Sequence, residues 1–453
     1  MVDPLRRVSP KLIEVAHVHR NLVTTRLEDG SLELWNRFAF TRADAFSGRW
    51  ALLENGEKVA EGELAVPALA PLSRGGIVAT GFDEALAGRV AVCATNGAAN
   101  AERFLNVEYA TKAKTVWADA GWVVARDQIA LPSVAKPAAE EKKPAADEGP
   151  AMGVMRRGDI LRVERGGTSA TFSRRAGTVI RLVLRGGARV FDTPAPGIVA
   201  GPRLTCARAF VDNDKWMKQD FMLSGLTQLK YTAEPFVVEG NSVKCVVDVS
   251  GAKGCGWIHE GVWSFGADGS VTISNKATPY GTMPKAVPRL GLEMLLSPLM
   301  EDMRWYGRGP EENYVDRCTA SFVGIWKSTV TGQYVDYIRP QDCGCKCGVR
   351  WAEFTSGYGV GVRFSSDSPM FMTATHYTWE DLYFSRFERG AIRHRTPLVP
   401  NDDVVLRLDA RQTGLGGASC GPGPLDAYRF DPSAEVAWTL KMEPVKTSGG
   451  EGR

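Results

Sequence analysis

From Gly158 to Pro444 the chain runs for nearly 290 residues as short apolar–polar segments broken by turn residues, with no convincing amphipathic helix. Asp159-Ile160-Leu161-Arg162-Val163-Glu164-Arg165 leads into Gly166-Gly167 and then Ser169-Ala170-Thr171-Phe172-Ser173. Val179 to Leu184 comes next, with a second glycine pair at Gly186-Gly187. Near the end, Val404 to Ala410 and Val436 to Met442 alternate again. Alternation with period two puts every second side chain on one face, so each segment reads as a half-buried strand. Twisted sheets of many strands curl or split into two packed layers. The expectation over residues 152–446 is therefore a large antiparallel β-supersandwich.

Upstream, Ile13 to about Leu131 also reads as short strands. Gly30 to Phe38 alternates, and Asn55-Gly56 separates two strand-like runs. Both of those turn residues tolerate positive φ, which makes the pair a strong hairpin signal. No long helical period appears. The size suits an immunoglobulin-like sandwich of about 100 residues, assigned here to residues 1–133. Val134 to Pro150 holds only small, charged and proline residues apart from Val134. Such a segment cannot bury enough apolar area to offset its ordering entropy, so residues 134–151 are expected to form a disordered linker. The polar stretch 447–453 is expected to fray as a tail. The fold class is thus all-β in two parts.

Composition narrows the function classes. Fifty-five basic against 52 acidic residues give a net charge of +3, too balanced for a nucleic-acid or anionic-membrane partner. No apolar run is long enough to span a bilayer. Met1 to Arg7 lacks the apolar core of a signal peptide. Taken as written, the chain is expected in the cytoplasm, an expectation that lapses if the sequence is a piece of a longer one. Twelve Trp and 48 Gly suit a turn-rich β protein. Of nine Cys, three lie at Cys343, Cys345 and Cys347. At strand spacing these share a side, but a zinc site wants a fourth ligand and wider spacing within each pair. Reduced thiols are expected, and no metal.

One segment has no compositional explanation: Arg304-Trp305-Tyr306-Gly307-Arg308-Gly309-Pro310-Glu311-Glu312-Asn313-Tyr314, continued by Val315-Asp316-Arg317. It resembles the signature of the C-terminal domain of large β-galactosidases of glycoside hydrolase family 2. Other segments resemble the same family in the same order. Ser9 to Val15 is similar to the stretch after its last barrel helix, and Trp117 to Ala125 to the end of its immunoglobulin-like fourth domain. Gly201 to Leu204 with Arg208 to Asp214 is similar to its Arg-Ala/Pro-Pro-Thr-Asp-Asn-Asp stretch, and Gly225, Leu226 and Leu229 match the family's next segment. Ile338 to Asp342 resembles Arg-Pro-Gln-Glu-Asn-Gly, with Asp342 for the usual Glu and Cys343 for the Asn. Thr375 to Leu382 and Asp409 to Gly417 complete the set.

The resemblance implies the fourth and fifth domains of such an enzyme, the fifth with a fold like that of galactose mutarotase. It implies a share in hydrolysing terminal β-D-galactosides. The two catalytic Glu of the family sit on a barrel that these domains do not include, so no catalytic residue is expected here. The partners implied are a β-galactoside and a barrel-bearing large subunit or N-terminal region, with assembly into an oligomer. Mg and Na of the complete enzyme belong near the barrel, so no cofactor is expected on this chain. The last loop of the fifth domain closes one side of the sugar pocket, which makes Gly416, Gly417, Ser419 and Cys420 the expected substrate-binding residues. Cys420 falls where many members carry a stacking Trp, so the large aromatic face is missing. Some relatives share Ser-Cys-Gly-Pro.

Two carboxylate pairs, Glu311-Glu312 and Glu380-Asp381, draw the eye as catalysts, but strand neighbours face opposite ways and structural roles are expected. Glu311 with Arg317 is expected to fix a loop, because Arg forks match carboxylates. Rival readings are a stand-alone carbohydrate-binding protein, with Trp305, Trp326, Trp351 and Trp379 as platforms, and a mutarotase-like epimerase using His259 and His376. Burial of one face of each strand favours core roles for most of those Trp, and a strand His satisfied by its neighbours is the plainer reading.

Overall fold

The computed structural model describes residues 2–3, 5–95, 101–132, 149–193, 198–384 and 398–446. Most of the expected linker, the tail 447–453 and His394 lie outside them. The chain divides into two compact units, Met1–Lys143 with Phe322–Ile325, and Pro144–Ser321 with Trp326–Arg453.

In the first unit seven antiparallel strands form one sheet. Their order is Leu22–Arg26, Leu32–Asn36, Arg74–Ala79, Glu57–Ala65, Phe46–Glu54, Arg103–Thr111 and Val123–Ala130. The sheet curls until its ends meet. The Thr24 amide donates to Asp127 Oδ2 at 2.8 Å, and the Thr24 and Tyr109 hydroxyls lie 2.6 Å apart. Leu22, Leu34, Trp50, Leu52 and Leu105 fill the interior. Asn55 and Gly56 turn the hairpin with φ of 50° and 85°, the left-handed pair that such a turn demands. Two helices depart from the all-strand reading, Pro10–Val18 and Phe82–Thr95. In Phe82–Thr95, Ala, Leu and Val are spread round the helix instead of gathered on one stripe, so periodicity gives no signal. Asp83 and Glu84 in its first turn favour the helix by facing the positive end of its dipole.

The second unit has two layers. A five-stranded sheet runs from Ala188–Asp192 through Thr178–Leu184, Thr168–Ser173 and Ile160–Arg165 to Gly153–Arg157. The larger sheet of 13 strands has, along its main path, Arg203–Thr205, Arg289–Leu296, Val404–Gln412, Val360–Thr375, Val436–Lys446, Val271–Tyr280, Gly256–Phe265, Ser242–Ser250 and Lys230–Ala233. Lys346–Thr355 and Asp302–Gly309 branch from Val360–Thr375. Leu161, Phe172, Leu182 and Val190 of the small sheet pack on Trp263, Ile273, Leu292, Leu406 and Met442 of the large one. Phe172 stands edge-on to Phe236, Trp263 and Phe265, the arrangement that ring quadrupoles prefer. The expected two-layer sandwich is therefore present. Turns at Gly166-Gly167 and Gly186-Gly187 take positive φ throughout.

A second apolar cluster gathers Phe210, Phe221, Trp257, Trp379 and Leu382. It rests on two short helices that the sequence pattern did not reveal, Lys215–Leu223 and Trp379–Phe384. Among the described residues no helix is long and apolar enough to cross a membrane.

Candidate functional site

The loop after strand Val404–Gln412 is held from three sides by side chains distant in sequence. Asp316, from the Arg304–Arg317 signature, accepts the amides of Leu415 at 2.9 Å and Gly416 at 2.7 Å. Asn213 donates to the Gly416 carbonyl at 2.5 Å and accepts the Ser419 amide at 3.2 Å. Arg208 donates to the carbonyls of Thr413 at 2.9 Å and Gly414 at 3.5 Å. Two glycines make this approach possible. A Cβ at Gly414 would lie 2.6 Å from the Asp316 carboxylate, and Gly416, at φ +63°, would carry its Cβ 2.4 Å from the Pro424 nitrogen.

The rest of the loop is a tight turn. The amides of Cys420 and Gly421 return to the Gly417 carbonyl at 3.1 and 2.7 Å. Gly417 donates to Pro422 O at 2.8 Å. Gly416 and Gly417 are half-buried, while Ser419 and Cys420 are exposed at the tip. Behind the turn, Trp216 passes 3.4 Å from where a Gly423 side chain would begin, and the Arg429 guanidinium lies 5.1 Å over its ring.

Below the loop is a dense set of buried charges. Arg208, 1% exposed, forks onto Asp214 at 2.5 and 3.2 Å. Burial alone would weaken the charged guanidinium, but Asp214 outweighs it and holds the Arg208 pKa above its ordinary range. Glu312 accepts from Arg317 and the Tyr337 hydroxyl, both at 2.5 Å, and from the Gly344 amide at 3.0 Å. The loop-fixing carboxylate is thus Glu312 and not Glu311: Glu312 is buried and takes Arg317 as its partner. Asn313 accepts the Cys347 amide at 2.7 Å, and Tyr314 donates to Asp342 at 2.8 Å. Asp342 is thus a buried acceptor. Further in, burial would raise Glu293, yet Arg407 at 2.6 Å and Arg289 at 3.5 Å leave it below the usual carboxylate range.

The signature is therefore a frame, and its members reach the loop through Asp316. Sequence reasoning missed Asn213, Arg208 and Asp316 as anchors, although all three lie in the quoted motifs. Trp216 carried no signal. The other candidates disperse. Asp381 accepts the Thr378 amide at 2.8 Å while Thr378 Oγ1 accepts the Asp381 amide at 3.1 Å, a reciprocal cap on helix Trp379–Phe384. Trp305 and Trp379 are buried, Trp326 packs on the core and donates to Gly307 O, and Trp351 lies under Arg304 and Arg363. Cys347 donates to Asn313 O, Cys345 accepts from Gln412 at 3.3 Å, and Cys343 is buried. Among the described residues no group of three metal-ligating side chains could hold an ion.

His259 and His376 line different cavities. His259 bonds Asn275 at 3.1 Å and stacks on Trp438, and His376 bonds Glu301 at 3.0 Å beside Tyr377. His259 and His376 are therefore not brought together as a pair.

Asp316→Ala leaves two backbone amides without their acceptor and should cost about 1–3 kcal/mol. Hydrogen exchange at Leu415 and Gly416 should accelerate, and unchanged protection there would remove Asp316 from its anchoring role. Desolvation, only partly offset by Asn275, lowers the His259 pKa to about 4. Its unfolded value is near 6.5. Stability from the neutral ring is therefore complete above about pH 6.5 and is lost as pH falls toward 4, by on the order of 1–3 kcal/mol. Urea titrations should show that slope in the native chain and a flatter one in His259→Gln.

The fold and loop can be set beside known proteins. The family described as "Beta galactosidase small chain" matches residues 164–442, and "Beta-galactosidase, domain 4" matches 32–132. A β-galactosidase of Priestia megaterium is 30% identical over 422 residues, covering 90% of this chain and 37% of that protein. One from Vibrio vulnificus is 25% identical over 438 residues, covering 92% and 39%. The chain thus spans well under half the length of these relatives. Among solved structures, a GalM/aldose epimerase homologue from C. elegans aligns with 66% of this chain and 100% of its own at 12% identity and a TM-score of 0.31, a likeness too slight to carry an argument. On the match over residues 164–442, this chain belongs to the β-galactosidase small-chain family.

Proposed function

We propose that the chain is the C-terminal portion or small subunit of a β-galactosidase of glycoside hydrolase family 2 that hydrolyses terminal non-reducing β-D-galactosides. In this reading residues 1–133 are its fourth domain and 152–446 its fifth. The observation that carries the reading is a loop fixed on three sides by Asp316, Asn213 and Arg208, inside a region that matches the small-chain family. A wall that shapes a sugar pocket must keep its form when the sugar enters, and fixed backbone amides cost no reorganisation.

Gly416 and Gly417 would give the wall its tight turn, and Ser419 and Cys420 would face the sugar from the exposed tip. Hydrolysis with retention needs two carboxyl groups flanking the scissile bond. Three carboxylates of this chain that lie at the loop are engaged elsewhere, Asp214 by Arg208, Asp316 by two amides and Glu312 by Arg317. The catalytic pair would come from a barrel-bearing large subunit or N-terminal region, with any Mg or Na beside it.

The test is a chromogenic β-galactoside assay on the purified chain, alone and mixed with a barrel-containing portion from the same genome. The expected outcome is no turnover alone and turnover on mixing. Turnover by the chain alone, or none in the mixture, would sink the division of labour. In the complemented enzyme, Cys420→Trp should restore a stacking surface at the loop tip. Galactose should then inhibit more tightly by on the order of 1–2 kcal/mol, roughly tenfold. An unchanged inhibition constant would mean that Cys420 does not face the sugar.

A further inference from the structure

The long strand Val360–Thr375 changes partners midway. Val360 to Ser365 pair with Val436–Lys446, whereas Phe371 to Thr375 pair with Val404–Gln412. Between them, Ser366 to Met370 leave both ladders. Val436 to Leu440 are paired on their other side with strand Val271–Tyr280. Their near edge is left facing the gap, bridged by the Asp367 amide donating to Thr439 Oγ1 at 3.3 Å. Beside this gap lies a cleft of about 360 Å3.

Its lining combines one aromatic surface with short polar groups: Trp438, Asn275, Ser366, Asp367, Ser368 and Arg411. Trp438 is half-buried and is held in place by His259, whose ring lies nearly parallel at 10° and 6.0 Å. Asn275 is 3% exposed and is itself fixed, donating to Ile273 O at 3.1 Å and accepting from His259. Two acids and one base line it; Asp409 is buried and paired with Arg289 at 3.5 Å, which leaves Asp367 and Arg411 as opposite charges and gives no excess of positive charge for a phosphate. The hydroxyls of Ser274, Ser366 and Ser368 and the strand edges that face the gap offer donors and acceptors side by side. A neutral polyol needs that mixture, and an indole offers the apolar faces of a pyranose a flat surface. The volume lies within the range of small-molecule sites, about 300–1,000 Å3. The cleft shares no lining residue with the loop at 413–424 or its anchors.

We propose that this cleft, beside the point where strand Val360–Thr375 changes partners, is a second, non-catalytic binding site for a neutral sugar, with Trp438 as its platform and Asp367, Ser366 and Ser368 as its hydroxyl partners. The site would act on the chain by itself, so its test does not depend on assembly with a barrel.

The experiment is calorimetric titration of the purified chain with lactose, repeated on Ser368→Trp, Asp367→Ala and Asp316→Ala. Positions 367 and 368 are exposed, so folding should survive, and circular dichroism checks it. Saturable binding should be seen in the native chain and in Asp316→Ala. It should weaken by about tenfold or more in Ser368→Trp, which fills the cleft, and in Asp367→Ala. The proposal is overturned by no saturable heat, by binding that survives Ser368→Trp, or by binding lost in Asp316→Ala, which would place the sugar at the loop instead. Capture of an extended peptide in the gap with no response to lactose would also overturn it. A failed titration leaves the complementation result unaffected, and a failed complementation leaves the titration unaffected.

Discussion

The guanidinium of Arg208 is the point on which the candidate site depends. It has almost no contact with solvent, and removing such a charge from water costs several kcal/mol unless its hydrogens are all directed at acceptors. Asp214 neutralises it with two bonds, and two more of its hydrogens go to the carbonyls of Thr413 and Gly414. The arrangement ties the segment around 208–214 to the end of strand Val404–Gln412, two stretches about two hundred residues apart. Asp316 and Asn213 then finish what the ion pair begins, by fixing the amides and the carbonyl of the turn itself. A buried pair of this kind is weak evidence of net stability, because desolvation offsets its attraction. Here the position it specifies is that of the one loop with an exposed sugar-facing tip in our reading.

How much of this was legible beforehand varied with the range of the interaction. Local chemistry read well. Asn55-Gly56 and Gly166-Gly167 turn where their φ freedom predicts, and the period-two runs at 160–165 and 404–410 are strands. Helix Phe82–Thr95 was illegible because its apolar residues cover every side. The motifs named the site's residues without naming their roles. Glu312 and Glu311 are adjacent and chemically alike, and what selects Glu312 is a set of partners, Arg317, Tyr337 and Gly344, that no local pattern announces. Asp316 meets its two amides about a hundred residues away, a separation on which no spacing rule bears.

The two glycines of the loop illustrate a second limit. Gly414 is required by a neighbour's carboxylate and Gly416 by its own backbone angle and by Pro424. In the sequence both look like ordinary turn residues. The distinction has a chemical meaning: the first glycine makes room for a partner and the second makes a bend.

The strand order of the large sheet has a consequence for how the molecule is made. Val436–Lys446, the last strand of the described chain, does not lie at an edge. It sits between Val360–Thr375 and Val271–Tyr280, in the middle of the sheet. During synthesis the strands on either side of that place emerge well before the one that joins them. Until it arrives, two half-sheets with open inner edges must wait, and long-range pairing of this sort is slow and exposed to misassociation. The ribosome thus delivers the central strand of the sheet after its neighbours, and cooperative closure of the second unit is deferred to the end of translation of this region.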